Sequence, residues 1–470
     1  MASLPPSLPP HDATTNPFLL RSISSNNNNN NNNNKNNDAM LSKGEEEEEN
    51  NNGRHMNLAI PHSTEEPEPH ANSCAVINQY IHTLNQFNLR NFGYPFNQNL
   101  KYDALAPLLG FHINNLGDPF LGSSFCLDST SFEVSVLDWF ANLWEIQKNK
   151  YWGYVTTGGT ECNLHGILVG REKFPDGILY ASEDSHYSIF KIARMYRMQC
   201  VKVGTLVSGE IDCADLKASL LAHKDKPAII NLNIGTTMKG AIDDIDLVIE
   251  TLEKNGFNRD RFYIHCDVAL FGIMLPFVKQ KIKVEDKSVN VEFELGGPWM
   301  AQKEEWVGCV GLLIIGLRLK LVAHWGSRSG HAPIFLCHAI TSRRGLLGFQ
   351  KEAENCTMNA SYLHNRLREA RIGAMLNDFS NTVVFEKPLD DGFSRRWSLA
   401  CKGNIAHVVV MQHVTIEMLN SFVAEFIQKR CFWWFKKDYG SCFQPPCIAE
   451  DVGVANCCCS MHGLSSSIRD

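Results

Sequence analysis

Phe262-Tyr263-Ile264-His265-Cys266-Asp267-Val268-Ala269-Leu270-Phe271-Gly272 decides the fold. Its first half, Arg261 to Cys266, reads as a short buried strand that runs into an acid. Such a run, after a helical segment and before a glycine-containing loop, suits the central parallel sheet of an α/β protein. Asp267 then stands at the carboxyl end of a strand, where such sheets place their ligands. A lone Asp more often caps the next loop or helix. The functional reading is preferred because three upstream segments supply matching chemistry.

Moving outward, a helix is expected from Leu247 to about Lys254. Before it, Ala228–Asn233 reads as a strand that ends in Ile234-Gly235-Thr236-Thr237. Val201–Val203 and Ile178–Ser182 are two more strands. The latter leads into Glu183-Asp184-Ser185-His186, with His186 opening a helix marked by Ile189, Ile192 and Ala193. Further back, an apolar stretch from Tyr151 enters Thr157-Gly158-Gly159-Thr160, and a helical pattern comes next over Glu161–Lys173. A glycine turn feeding a helix N-terminus is an anion site in waiting, since backbone N–H groups point outward and the helix dipole favours negative charge. The same turn also serves as an ordinary capped loop. Strand and helix alternate from Tyr151 to Asp267, the signature of a parallel sheet with right-handed crossovers.

The flanks differ. Met1 to about His70 holds the asparagine run 26–34 and the glutamate run 45–49, and cannot bury enough apolar surface to offset chain entropy. With one early basic residue, Arg21, and no apolar signal core, the cytosol is expected ahead of a plastid. Phe132, Val136, Phe140 and Leu143/Trp144 recur at helical spacing, with Trp139 and Trp144 as core or dimer-interface aromatics. Trp306–Leu317 is apolar but only 12 residues long, too short for a bilayer span and better read as buried core. Helix patterns over Glu352–Ile372 and Thr415–Arg430, with strands Thr382–Phe385 and Ala406–Val410, describe a second, smaller domain in which His407 is structural. The expected organisation is residues 1–72 as low-complexity segment, 73–130 as N-terminal arm, 131–343 as large domain, 344–461 as small domain and 462–470 as tail.

With 44% hydrophobic and 20% charged residues, the 470-residue chain has a globular composition, and a net charge of −7 gives no basic face for nucleic acid. The 16 cysteines form no regular framework and read as reduced thiols. Cys457–Cys459 with His462 could bind a metal, but adjacent cysteines do not easily share one tetrahedral site, so no metal is expected.

Gly-Gly-Thr, Ser-His, Gly-Thr-Thr and Asp, each at a strand's end, together resemble the group II pyridoxal-phosphate decarboxylases of fold type I. The branch most resembled is the plant serine decarboxylases, often labelled histidine decarboxylase-like. Tyr151–Gly166, Leu179–Met198, Ile234–Leu247, Tyr263–Val278, Gly326–Phe335 and Asn404–Val410 carry the likeness, which spans about Val76 to Met461. It implies a large domain with a mostly parallel, seven-stranded type of sheet, a small α/β C-terminal domain, pyridoxal phosphate as cofactor and a homodimer with sites at the interface. Asp267 would pair with the pyridine nitrogen. His186 would stack on one face of the ring and Ala269 pack on the other. Gly159 and Thr160 would hold the phosphate, Thr236 would lie near the ring's edge, and Gly326 and Ser327 would approach from the partner subunit. The implied reaction is L-serine to ethanolamine and CO2, with L-histidine as the alternative substrate.

The sequence departs from the family at Thr157, usually Asn, at Cys162, usually Gly, and at Val268, usually Gly or Ala. A larger departure lies beyond the Asp267 strand. The family's Ser-x-His-Lys motif, whose lysine forms the Schiff base, is missing. Val307-Gly308-Cys309 matches the family's residues just after that lysine, which puts Glu304-Glu305 where His-Lys belongs. Lys303 is two places early, and Lys287 is a weaker candidate. The family's loop tyrosine is missing too, since no Tyr occurs between Tyr263 and Tyr362. The alternatives are an inactive paralogue that acts at most as a dimerising subunit, and a message read through an intron; the abrupt break between matched flanks favours the latter.

Overall fold

A computed structural model describes residues 70–88, 90–98, 103–114, 118–122, 124–146, 151–278, 330–342, 345–433 and 446–462. Lys287, Lys303, Glu304, Glu305, the Trp306–Leu317 run, Gly326 and Ser327 lie outside the described residues, as does the low-complexity segment up to residue 69.

The first sheet contains β1 (Ile178–Ser182), β2 (Cys200–Val203), β3 (Ala228–Asn233) and β4 (Phe262–Asp267), in the order β2-β1-β3-β4 with every pairing parallel. All residues of β1 and β3 are buried, because helices cover both faces. The alternation of side chains across a strand divides the packing. Ile178, Tyr180, Ile230 and Leu232 face α5 (Cys213–Ala222) and α6 (Ile245–Lys254). Leu179, Ala181 and Ile229 face α3 (Gly159–Lys173) and α4 (Tyr187–Met195). From β1 the chain passes through α4 to β2 on one side, and from β3 through α6 to β4 on the other. The order therefore reverses between β1 and β3, which opens a crevice at their carboxyl ends. Of the seven-stranded type of sheet expected, four strands fall within the described residues.

Side-chain caps start several of the helices. Asp212 and Asp244 accept hydrogen bonds from Ala214 N and Leu247 N and so begin α5 and α6, which is why α6 starts two residues before the expected Leu247. Ahead of the sheet are α1 (His70–Asn88) and α2 (Thr130–Leu143). Trp144, just after α2, is buried, and its indole N–H donates to the Gly272 carbonyl at 2.7 Å, tying this region to the loop beyond β4.

The second sheet comprises β5 (Ala374–Leu376), β6 (Thr382–Glu386), β7 (Ala400–Lys402) and β8 (Ile405–Val409) in the antiparallel order β5-β6-β8-β7. The two three-residue edge strands carry no sequence signal of their own. Helices α8 (Leu346–Glu369) and α10 (Ile416–Trp433) cover one face through Leu363, Leu367, Phe422 and Phe426; α7 (Ala332–Ser342) and α9 (Asp391–Arg396) are shorter. Arg430 forms a buried ion pair with Glu386 and donates to the Arg371 carbonyl at 3.0 Å. His407 is structural, as read from sequence: its ring nitrogens face the Met238 and Gly93 carbonyls at 3.0 and 2.9 Å, which ties the second sheet to both of those segments. No described helix is long and apolar enough to cross a membrane.

Candidate active site

Asp267 ends β4 opposite Asn233 of β3 and is 8% exposed. One carboxylate oxygen accepts from Ala269 N at 3.1 Å and the other from the Asn163 side-chain amide at 2.9 Å. Asn163 lies one turn inside α3, the helix that begins with Gly159 and Thr160. A single rigid element thus carries both the helix N-terminus and the group that grips Asp267.

Every polar group of the Asn163 side chain is engaged. Its carbonyl faces His265 Nε2 at 2.9 Å, and its amide donates to Asp267 and, at 3.0 Å, to Ser188 Oγ. Burial lowers the His265 pKa to about 4, against the upward pull of the Asp267 carboxylate, so the ring is neutral and gives its one N–H to Asn163. Gly166, one turn further along α3, makes room for that ring: a Cβ there would lie 2.3 Å from His265 Nδ1. Because Ser188 Oγ accepts from Asn163, its own proton goes to His186 Nδ1 at 2.7 Å. His186 caps α4 through the same nitrogen, which accepts from Ser188 N, so its remaining proton is on Nε2. Asp267 and His186, read separately from sequence, are therefore joined through Asn163 and Ser188, neither of which was singled out.

A buried polar floor lies under the strand ends. Asn233 donates to Ser182 Oγ at 3.1 Å and to Asp243 at 2.9 Å, and Asn231 donates to Ser185 Oγ at 3.3 Å. Burial raises Asp243 to about 6, although hydrogen bonds from Asn233 and Ile211 work the other way. The alternating Asn231 and Asn233 in an otherwise apolar strand were the one local sign of this floor.

The helix N-terminus is open. Gly158 is the N-cap of α3 with no side-chain cap, and a Cβ added there would meet nothing within 4 Å. Thr157 instead holds Glu161 through its backbone N–H at 2.8 Å and its hydroxyl at 2.7 Å. Cys162 is buried, with its sulfur 3.2 Å from Thr156 Oγ1. Thr236 is 1% exposed, and its hydroxyl oxygen accepts from Ala241 N at 3.0 Å, which braces the Gly235–Gly240 turn; no described hydrogen bond links it to the Asn163 network. Ala269 is half-buried and continues from Asp267 into the loop. Gly326 and Ser327 cannot be placed among these residues, because they lie outside the described ones.

These groups fit a planar, phosphorylated pyridine. A carboxylate fixed on two donors suits a ring N–H, and an uncapped helix N-terminus with no side-chain wall suits a phosphate. A histidine whose orientation is set through Nδ1 suits a flat ring beside it.

Residues 56–386 match the pyridoxal-dependent decarboxylase conserved domain. The chain is 54% identical to serine decarboxylase 1 of Oryza sativa subsp. japonica over 416 residues, covering 85% of this chain and 83% of that protein. It is 47% identical to a histidine decarboxylase of Solanum lycopersicum, covering 82% of this chain and 95% of that one. Among solved structures, L-methionine decarboxylase from Streptomyces sp.590 superposes with a TM-score of 0.64 at 21% identity, over 79% of this chain and 96% of that chain. That likeness bears out the fold type I architecture.

Proposed function

The chain belongs to the pyridoxal-dependent decarboxylases, and from that premise we propose that its site is built to remove the α-carboxylate of L-serine, giving ethanolamine and CO2. The fixed pair of Asp267 and Asn163 carries this reading. When bound, pyridoxal phosphate supplies an electron sink for the pair left behind as the carbon–carboxylate bond breaks. Asp267, held as a hydrogen-bond acceptor, would keep a proton on the pyridine nitrogen, and Asn163 would hold the carboxylate to that task. Backbone N–H groups at Gly159 and Thr160 would take the phosphate. His186 would lie against one face of the ring and Ala269 against the other. A proton must replace the departing CO2. The tyrosine expected to deliver it is missing from the sequence between Tyr263 and Tyr362.

Serine is favoured over histidine because the 54% relative is a serine decarboxylase, against 47% for the plant histidine decarboxylase. A second reading rests on Glu304-Glu305, which stand where the cofactor-tethering lysine belongs. A glutamate can neither tether the cofactor nor pass it to substrate, and its charge opposes an anionic ligand. This chain would therefore bind the cofactor without a covalent link and turn over far more slowly than its relatives. We also infer a homodimer. Along α1, Ile77, Tyr80, Ile81, Leu84 and Phe87 are 41–56% exposed, and Leu109, Phe111 and Leu121 are exposed as well. A second copy of the chain is the occupant in keeping with a site shared between subunits.

The test expresses this chain and its Glu304→His/Glu305→Lys variant. Each receives pyridoxal phosphate, is reduced with borohydride and mapped for modified lysine, and is assayed for CO2 from labelled serine and histidine. Adduct and serine turnover in the variant, with neither in the parent, are expected. A stoichiometric adduct on Lys303 of the parent with full serine turnover overturns the second reading. Release from histidine and not serine overturns the substrate. A monomeric mass by light scattering overturns the dimer.

A further inference from the structure

Away from that site, residues 446–462 bring three thiols and one imidazole to a point. Cys447 precedes the short helix α11 (Ala449–Val452), and a 3-10 turn (Val454–Asn456) then delivers Cys457, Cys459 and His462. One ligand atom from each of Cys447, Cys457, Cys459 and His462 lies within 4.8 Å of all the others. His462 Nδ1 is 3.1 Å from Cys459 Sγ and 3.6 Å from Cys447 Sγ. A tetrahedral zinc ion with ordinary Zn–S and Zn–N bond lengths has ligand–ligand edges of about 3.5–3.8 Å. The four atoms therefore already stand close to the corners of such a site.

The surroundings support ligation. The Ile448 backbone N–H points at Cys457 Sγ at 3.4 Å, the kind of outer contact that orients a thiolate. Arg368 holds the loop between the ligands, donating to the Asn456 carbonyl at 2.7 Å and the Ala455 carbonyl at 2.9 Å. Cys457 and Cys459 are buried in a cluster with Met375, Val384, Ile405, Ile448 and Val452. A disulfide would use two of the thiols and leave the third and the imidazole unexplained, and all three are free. The objection that adjacent cysteines cannot share one site holds for Cys458, whose sulfur lies 3.3 Å from Arg368 Nη1 instead. The third thiol comes from Cys447, ten residues before Cys457, a spacing that the cysteine run itself does not reveal.

We propose that Cys447, Cys457, Cys459 and His462 bind one zinc ion in a closed structural site that cross-links residues 447–462 to one another where they pack against the second sheet. Three soft thiolates and an imidazole select zinc over magnesium, calcium or manganese. With four protein ligands no position is open for substrate, so the ion is structural and independent of the decarboxylase site.

The experiment uses the full chain without a histidine tag, purified from zinc-supplemented medium under reducing conditions and passed over a weak chelating resin. Elemental analysis should find one zinc per chain. The Cys459→Ser and His462→Ala variants should each retain only a small fraction of it, and Cys458→Ser should keep it. Cobalt(II) added to the zinc-stripped parent should give the visible bands of a tetrahedral thiolate complex, a readout that needs no variant to fold. Zinc-free parent protein with the three thiols reactive overturns the proposal. Zinc content unchanged in both Cys459→Ser and His462→Ala, or a cobalt spectrum without thiolate bands, does so as well.

Discussion

Replacing Asn163 with alanine tests the centre of the site. The change removes three contacts at once: His265 Nε2 to the carbonyl at 2.9 Å, and the amide to Asp267 at 2.9 Å and to Ser188 at 3.0 Å. Ser188 keeps His186 as a partner, and Asp267 keeps Ala269 N. His265, 3% exposed, loses the acceptor for its N–H, which costs about 1–3 kcal/mol. The lost bond to a carboxylate is worth about 1.5–3 kcal/mol more. The contacts share one side chain and do not add fully, so a loss of roughly 3–5 kcal/mol is expected, a large part of the ~5–15 kcal/mol that holds a typical domain folded. Urea unfolding monitored by circular dichroism should show a lower midpoint at an unchanged slope. Titration with pyridoxal phosphate should show affinity weakened by about ten- to a hundredfold, because the acceptor for the ring N–H is less well held. Ser188→Ala, which cuts only the branch to His186, should weaken the cofactor less. An Asn163→Ala protein with the parent's midpoint and cofactor affinity would refute the idea that this amide organises the site.

Acid should act through His265. Its folded-state pKa of about 4 lies below the ordinary value of 6.5, so the unfolded chain takes up the proton first. The stability linked to this group is complete above pH 6.5 and falls as pH drops towards 4, by roughly 3 kcal/mol over the whole window. Asp243, raised to about 6, works in the opposite sense as pH falls from 6 towards 3.8, so the net slope of the parent is shallow. The difference between parent and His265→Gln isolates the first effect: the variant's deficit in unfolding free energy should shrink between pH 7 and 4, and a deficit independent of pH counts against a neutral His265. At the second sheet, Arg430→Met leaves Glu386 buried without its cation and should cost about 3–5 kcal/mol in urea unfolding. The double variant with Glu386→Leu should recover most of that loss, and equal losses in the single and double variants would show that the unpaired charge is not the cause.

Local pattern was enough wherever one stretch of chain carries its own signal. β1 and β3 run over the same residues in sequence and structure, because a strand buried on both faces is an unbroken apolar run between turns. Asp267 and His186 stood out in the sequence because one ends a strand and the other opens the helix after one. The parallel sheet was legible in the alternation of strands and helices. Tertiary structure alone decided what joins them. Asn163 reaches partners 25, 102 and 104 residues away, and nothing near it in sequence marks it as their meeting point. The edge strands β5 and β7 are three residues each and exist only because β6 and β8 offer them hydrogen bonds. Cys447 joins Cys457, Cys459 and His462 only because α11 and the turn after it fold the chain back on itself. Hydrophobic period and turn chemistry are properties of neighbouring residues, whereas a shared hydrogen-bond hub or ligand set is a property of distances in space.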